Sequence, residues 1–374
     1  MSGIYLHIPF CKQACSYCDF YFVTRTSERE HFVQRLVEDI KSYKDSKFTE
    51  ETVETIYFGG GTPSLLEPAQ LEQIMEALCN VFDVDAREIT LEMNPDDVSA
   101  QFLADLKSLG ISRASMGVQS FEPELLEFMH RAHSSEEALQ CLELLSASDF
   151  NSFTVDLIYG NPGQSVKQLE RDVNKFLEFD PPHISAYSLT IEPKTRLGKQ
   201  VELGRIAPPE DDKVADHFDI INQLFSNHGI ERYEVSNYSV PGKEAVHNSN
   251  YWEHKNYLGL GPGAHSFWWD NNAKRWENEQ DLRKYLREED HPEKEQLSLK
   301  QLAEERLMMG LRTKKGVRGA ELSGQYDYVF SDRQKEYLKN REQEGKVEVD
   351  ESITLTDRGI KIADAIILDL VTLH

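Results

Sequence analysis

Six short β-rich runs alternate with six helical patterns over roughly the first 230 residues, and this alternation constrains the fold more than any other feature of the chain. The strands read as 3–8, 53–58, 88–93, 112–118, 152–159 and 183–191. Helical stretches lie near 28–45, 67–82, 97–109, 134–148, 165–179 and 209–228. Pro68 and Pro123 sit at helix starts, where a missing N–H costs little. Strand–helix alternation implies an α/β fold with a parallel sheet and right-handed crossovers. Six units fit either an open doubly wound sheet or an incomplete barrel, and both place their chemistry at the C-terminal ends of the strands. A length of 374 residues leaves room for that domain and a smaller one after it.

The composition shifts after about residue 235. Residues 236–275 are rich in Gly, Asn, Tyr, Trp and His and read as loops; a charged helical segment follows over about 278–316. The end reads as a helix near 331–344, a hairpin of Lys346–Val349 and Ile353–Leu355, and an amphipathic helix from about 357, an order that resembles a winged helix. Three segments are therefore expected: 1–235, 236–296 and 297–374. With 41 Lys and Arg against 65 Asp and Glu, the net charge is −24, which repels nucleic acid and anionic lipid. Residues 331–374 hold seven basic and ten acidic side chains, so this winged-helix-like end is not a basic DNA reader. No apolar run approaches the roughly 18 residues of a membrane span. No secretory pattern precedes Ile4-Tyr5-Leu6-His7-Ile8, so the expected location is the cytoplasm.

Three of the five cysteines, Cys11, Cys15 and Cys18, fall within eight positions directly after the first strand. Such crowding reads as metal ligation rather than a disulfide framework. A 4Fe–4S cube takes four ligands, so three thiolates leave one iron open to a small molecule with an amine and a carboxylate. Structural zinc takes four ligands, commonly in paired knuckles, and no second knuckle is present. Cys79 and Cys141 lie in helical apolar surroundings, as small core residues do. At the end of the second strand, Gly59-Gly60-Gly61-Thr62-Pro63 is either a plain turn or a backbone cradle for a ligand. Glu92 and Asp156, near strand ends, suit either a helix cap or ribose hydroxyls, and Arg131 suits a carboxylate or solvent.

The C-x3-C-x2-C segment after a first strand resembles the signature of the radical S-adenosylmethionine superfamily. Tyr5-Leu6-His7-Ile8-Pro9-Phe10-Cys11, Leu91-Glu92-Met93-Asn94-Pro95, Ser115-Met116-Gly117-Val118-Gln119-Ser120 and Val155-Asp156-Leu157-Ile158-Tyr159-Gly160 are similar to strand ends of its oxygen-independent coproporphyrinogen III oxidase group. The resemblance covers nearly the whole chain and implies an incomplete (β/α)6 barrel. It implies a 4Fe–4S cluster on Cys11, Cys15 and Cys18, and S-adenosylmethionine contacts from Tyr5, Gly60, Gly61, Thr62, Glu92, Gln119, Arg131 and Asp156. Tyr17 is implied beside the cluster and the adenine.

Two departures separate the chain from the oxidases. They carry a fourth cysteine where this chain has Phe20, and a long segment ahead of the first strand, which here starts by residue 3. Both features resemble the HemW branch of haem chaperones. That resemblance implies haem as cargo, passed to haem-accepting membrane or respiratory proteins; the alternative is oxidative decarboxylation of coproporphyrinogen III. His247-Asn248-Ser249-Asn250-Tyr251-Trp252 matches the branch's His-Asn-x-x-Tyr motif. His and Tyr are haem ligand types and Trp252 can stack on a macrocycle; read without the family, the same segment is a loop bonded to the barrel rim. If His247 ligates iron, haem transfer weakens as pH falls through about 6.5, the ordinary imidazole value. His265, after the run Gly259-Leu260-Gly261-Pro262-Gly263, is a second haem candidate.

Overall fold

The computed structural model describes residues 3–148, 150–289 and 291–373; residues 1, 2, 149, 290 and 374, which fall within the three expected segments, lie outside the described residues. Strands β1 (Gly3–Ile8), β2 (Val53–Gly60), β3 (Val84–Met93), β4 (Arg113–Gln119), β5 (Ser152–Tyr159) and β6 (His183–Ser188) lie side by side in chain order. Each pairs parallel to the next. A doubly wound sheet reverses its order at a switch point. This one does not, so successive right-handed crossovers carry the helices along one face and the sheet curls into an incomplete (β/α)6 barrel.

Period-2 alternation assigns the two faces. Ile4, Leu6 and Ile8 of β1, Ile56 and Phe58 of β2, Leu91 and Met93 of β3, Met116 and Val118 of β4, and Val155 and Leu157 of β5 are all buried in the main core. Helices Arg29–Ser42 and Pro68–Val81 press Phe32, Leu36, Leu71 and Leu78 into the same core. The alternate residues are polar or aromatic: Tyr5 and His7, Thr55 and Tyr57, Thr90 and Glu92, Arg113 and Ser115, Thr154 and Asp156, His183 and Ser185. An apolar outer face explains why the sheet forms under its helices. A polar inner face leaves the concave side for ligands.

Two regions depart from the expectation. The first helix after β3 begins at Ala100 rather than 97, because Pro95–Asp97 forms a single 3-10 turn and Ser99 caps the helix by accepting from the Phe102 N–H. The stretch read as loops forms strands. β7 (Glu231–Arg232) and β8 (Asn237–Ser239) add antiparallel to β6. On the far side, β9 (Tyr257–Leu260) pairs parallel with β1, and β10 (His265–Trp269), β11 (Ala273–Glu277) and β12 (Glu295–Gln296) follow antiparallel, so the sheet has twelve strands among the described residues. A Cβ at Gly259 would lie 2.0 Å from the His265 carbonyl oxygen, so the glycine that reads as a loop residue lets β9 and β10 approach.

The chain then forms helix Leu299–Gly310, helix Asp332–Gln343, the hairpin of β13 (Val347–Val349) and β14 (Ile353–Leu355), and a final helix Ala363–Thr372, the expected helix–hairpin–helix order. Among the described residues, no helix is long and apolar enough to cross a membrane.

Candidate cofactor site

The loop that leaves β1 is closed at its base. The Cys11 N–H donates to the Val23 carbonyl at 3.0 Å, and the Val23 N–H to the Pro9 carbonyl at 2.7 Å. Its residues are tied to two other parts of the barrel mouth. The Lys12 ammonium pairs with Asp96 at 2.8 Å and with Asp97. The Gln13 amide donates to the His130 carbonyl at 2.9 Å, and the Ser16 N–H to the Met129 carbonyl at 3.0 Å. Cys11, Cys15 and Cys18 are unbonded thiols, each partly exposed, and all line one cavity. Thr62 Oγ1 donates to Cys11 Sγ at 3.5 Å and Arg131 to Cys15 Sγ at 3.3 Å. Burial pushes the Cys11 thiol up to about 11 and the Cys18 thiol up to about 12, so both wait for a cation to become thiolates. Among the described residues, no three His, Cys, Asp or Glu side chains are grouped to hold a single metal ion. A cluster, whose corner irons each take one thiolate, suits the trio better than zinc does.

The cavity holds about 480 Å³. Tyr17, Gly60, Gly61, Thr62, Glu92, Gln119, Arg131 and Asp156 line it together with the three cysteines. Glu92 accepts from Tyr57 Oη at 2.6 Å and from the Gly60 N–H at 3.1 Å. Burial raises its carboxyl to about 7, and raises that of Asp156 to about 6. Gly60 adopts a φ of +103°, and a Cβ at Gly61 would lie 2.7 Å from the Ile8 and Phe10 carbonyls, so only glycines permit this turn. Arg131 is partly buried and held by its own bonds, donating at 2.6 Å to both Asn94 Oδ1 and the Gly117 carbonyl and at 3.4 Å to Tyr17 Oη. Its Nε and the Gln119 Oε1 are buried without a partner. One orphaned donor, one orphaned acceptor, two acids and a glycine turn beside three thiols fit a ligand with ribose hydroxyls and an amino-acid moiety.

Tyr5 is not on this cavity. It lines a second one of about 670 Å³, stacks on Tyr57 at a ring separation of 6.0 Å, and contacts His7 Nδ1 through its hydroxyl at 3.2 Å. Part of the wall of the second cavity is aromatic, formed by Tyr5, Tyr57, Tyr251, Tyr257 and Phe267, and part is charged, with Asp19, Lys255, Arg275 and Glu305. Phe20, Gly60, Glu92 and Tyr187 line both cavities, so the two lie side by side.

The His-Asn-x-x-Tyr motif departs from its expectation. It is not a loop but helix Val246–Trp252, whose first N–H groups are capped by Glu88: those of Val246 and His247 donate to its carboxylate, both at 2.9 Å. His247 is 1% exposed, and both ring nitrogens are engaged, Nδ1 with Thr55 Oγ1 at 2.9 Å and Nε2 with Tyr251 Oη at 2.7 Å. Burial holds its pKa down to about 3, so it stays neutral through the range where an ordinary imidazole titrates, and the expected loss of transfer near 6.5 does not follow. His247 therefore offers no nitrogen to either cavity; it fixes Tyr251, which does line the second. Trp252 lines neither cavity, and its carbonyl accepts from Arg306 at 3.2 Å. His265 projects into the second cavity with its side chain 56% exposed, 3.6 Å from Glu277.

Several site residues were not legible as such. Tyr57 and Tyr187 follow from the inner-face alternation on β2 and β6, which the apolar runs masked. Asn94 directly follows β3, two residues after Glu92, and holds Arg131 and Thr62, donating to Thr62 Oγ1 at 3.1 Å. Lys12, inside the cysteine loop, gives no sequence signal of its partners.

The radical SAM superfamily profile matches residues 5–176, and the profile of the HemN C-terminal domain matches residues 297–362. The "Heme chaperone HemW" of Lactococcus lactis subsp. lactis (strain IL1403) is 33% identical over 369 residues, covering 97% of this chain and 95% of that one. The chain belongs to the HemW group of the radical SAM superfamily. The Bacillus subtilis (strain 168) heme chaperone HemW is also 33% identical over 369 residues, covering 96% of each chain. That of Escherichia coli (strain K12) is 38% identical over 267 residues, 70% of this chain and 69% of its own. Among solved structures, coproporphyrinogen III oxidase (HemN) from Escherichia coli superposes with a TM-score of 0.84 over 99% of this chain and 90% of that one; at 22% identity this shows a shared fold. Radical SAM membership implies a 4Fe–4S cluster and S-adenosylmethionine as the bound groups.

Proposed function

We propose that this protein is a haem chaperone that binds haem beside a 4Fe–4S cluster and delivers it to haem-requiring respiratory proteins. Cys11, Cys15 and Cys18 would ligate the cluster, which supplies an open iron for the amine and carboxylate of S-adenosylmethionine. Glu92 and Asp156 would accept from the ribose, Gly60, Gly61 and Thr62 would cradle the methionine end, and Gln119 Oε1 and Arg131 Nε would meet its remaining polar atoms. Tyr17, bonded to Arg131, would wall the adenine side.

The observation that carries the haem reading is the second cavity. It is large enough for a macrocycle, rich in aromatic side chains, adjacent to the cluster site, and lined by the exposed imidazole of His265. Tyr251 and Tyr5 would pack on the ring edge, and Lys255 and Arg275 at the wall, now paired with Glu253 and with Glu295 and Glu305, would have to share their charge with its propionates. His265, rather than His247, would supply the imidazole to iron. The relatives' shared designation as haem chaperones supports the cargo. Five unpaired thiols suit the reducing cytoplasm. With a charge of −24, delivery at a membrane would require a protein docking partner rather than anionic lipid.

The test is anaerobic reconstitution followed by separate titrations with haem and with coproporphyrinogen III. Saturable one-to-one haem binding with no turnover of coproporphyrinogen supports the carrier. Product formation above cluster-free controls would replace it with the oxidase reading.

A further inference from the structure

Phe20 is the most exposed large apolar side chain among the described residues, at 70%. Single exposed apolar side chains are ordinary on protein surfaces. This one is set apart by its position, since it lines both cavities at their junction. Its backbone is tied down, while its ring is left free to turn. Its backbone N–H bonds the Cys18 sulfur. The next residue, Tyr21, is held through its carbonyl by His7 Nε2 at 2.8 Å and through its hydroxyl by the Leu282 N–H at 2.6 Å. Backbone anchors on both sides therefore present a ring that the protein itself leaves uncovered. A flat ring held between two ligand cavities is completed by the ligands that fill them.

We propose that Phe20 couples the two cavities: one face of its ring packs on the plane of a conjugated tetrapyrrole in the second cavity while its opposite side closes the first over S-adenosylmethionine, so that each ligand tightens the other. This rests on the haem-carrier reading above. The coupling follows from shared contact area. A ligand in one cavity fixes the ring in the orientation the other ligand needs, and the second arrival no longer pays for ordering it. Because coupling is reciprocal, the factor by which S-adenosylmethionine tightens haem must equal the factor by which haem tightens S-adenosylmethionine.

The experiment uses the full chain, anaerobically reconstituted, with haem binding read from absorbance in the absence and presence of saturating S-adenosylmethionine. The parent protein is expected to bind haem at least about fivefold more tightly with S-adenosylmethionine present, the lower end of ordinary heterotropic coupling. Phe20→Ala should bring that ratio close to one while keeping the parent's iron content. Phe20→Leu, which keeps an apolar side chain but removes the flat ring, should fall between, and it serves where the alanine variant loses its cluster. Phe20→Trp should retain the coupling. Equal haem affinity with and without S-adenosylmethionine in the parent, or undiminished coupling in Phe20→Ala and Phe20→Leu, would overturn the proposal while leaving the carrier reading intact. Failure of the parent to bind haem at all would overturn both.

Discussion

Binding of S-adenosylmethionine is expected to weaken in acid, and the structure sets the size of the effect. Glu92 is a partly buried acceptor in the wall of the cavity, with its carboxyl raised to about 7 by desolvation. A ribose hydroxyl donates to the carboxylate and gains much less from the neutral acid, so binding selects the ionised form. When only that form binds well, affinity falls by about tenfold for each pH unit below the unliganded pKa, equivalent to about 1.4 kcal/mol. Between pH 8 and pH 6 the dissociation constant should therefore rise about tenfold. Asp156, raised to about 6, steepens the loss further down.

The linkage also fixes a stability trend of the opposite sign. A carboxyl whose folded pKa is raised favours its neutral form, so its contribution to the ligand-free fold is fully present below the ordinary carboxyl range and is lost as pH rises through about 7 for Glu92. Ligand-free protein should lose thermal stability across that window, and bound S-adenosylmethionine should offset the loss. The assay is calorimetric titration of the reconstituted protein at a series of pH values, paired with melting curves, for the parent and Glu92→Gln. The variant should bind weakly and lack the neutral-range dependence. A flat affinity profile in the parent, or the parent's profile persisting in Glu92→Gln, would show that Glu92 does not accept from the ligand.

Three further outcomes follow from the geometry. Reconstituted protein should hold about four irons; alanine at Cys11, Cys15 or Cys18 should abolish this content, and alanine at Cys79 or Cys141 should not, as iron assay and visible absorbance will report. His247→Ala removes two buried hydrogen bonds and should cost about 2–3 kcal/mol in urea unfolding, counting roughly 1 kcal/mol per bond and a small void, whereas His265→Ala should leave stability unchanged and alter the haem spectrum; the reverse pattern would return the ligand role to His247. Tyr57→Phe deletes the hydroxyl that donates to Glu92 and should raise that carboxyl's pKa further, moving the pH profile of S-adenosylmethionine binding to higher pH, with an unmoved profile counting against the bond.

The six barrel strands were legible because their outer faces alternate so regularly. Ile4, Leu6 and Ile8, or Val155 and Leu157, carry the period of a strand under helices. The cysteine trio was legible because its spacing is local. What escaped the sequence depends on contacts between distant segments. β9 and β10 were hidden by Gly259, whose small size serves close strand pairing as well as it serves a turn. The four-residue spacing of His247 and Tyr251 marks one face of a helix, but not which way it faces. Here Gly3 at the start of β1 leaves the space that the His247 ring fills, a Cβ there lying 2.9 Å from its Cε1. Tyr5 shares its strand face with His7, and only the curl of the sheet decides that this face meets the second cavity. The ion pairs of Lys12 with Asp96 and Asp97 join residues more than eighty positions apart, which no local pattern reports.

Haem transfer from the loaded, cluster-reconstituted protein to an apo-cytochrome shows whether the second cavity carries haem. Transfer followed by the acceptor's absorbance should proceed from the parent and fail after bulky substitution of the cavity wall, as in Phe267→Arg, with the iron–sulfur content unchanged. Undiminished haem binding and transfer by that variant would place the cargo elsewhere and contradict the account.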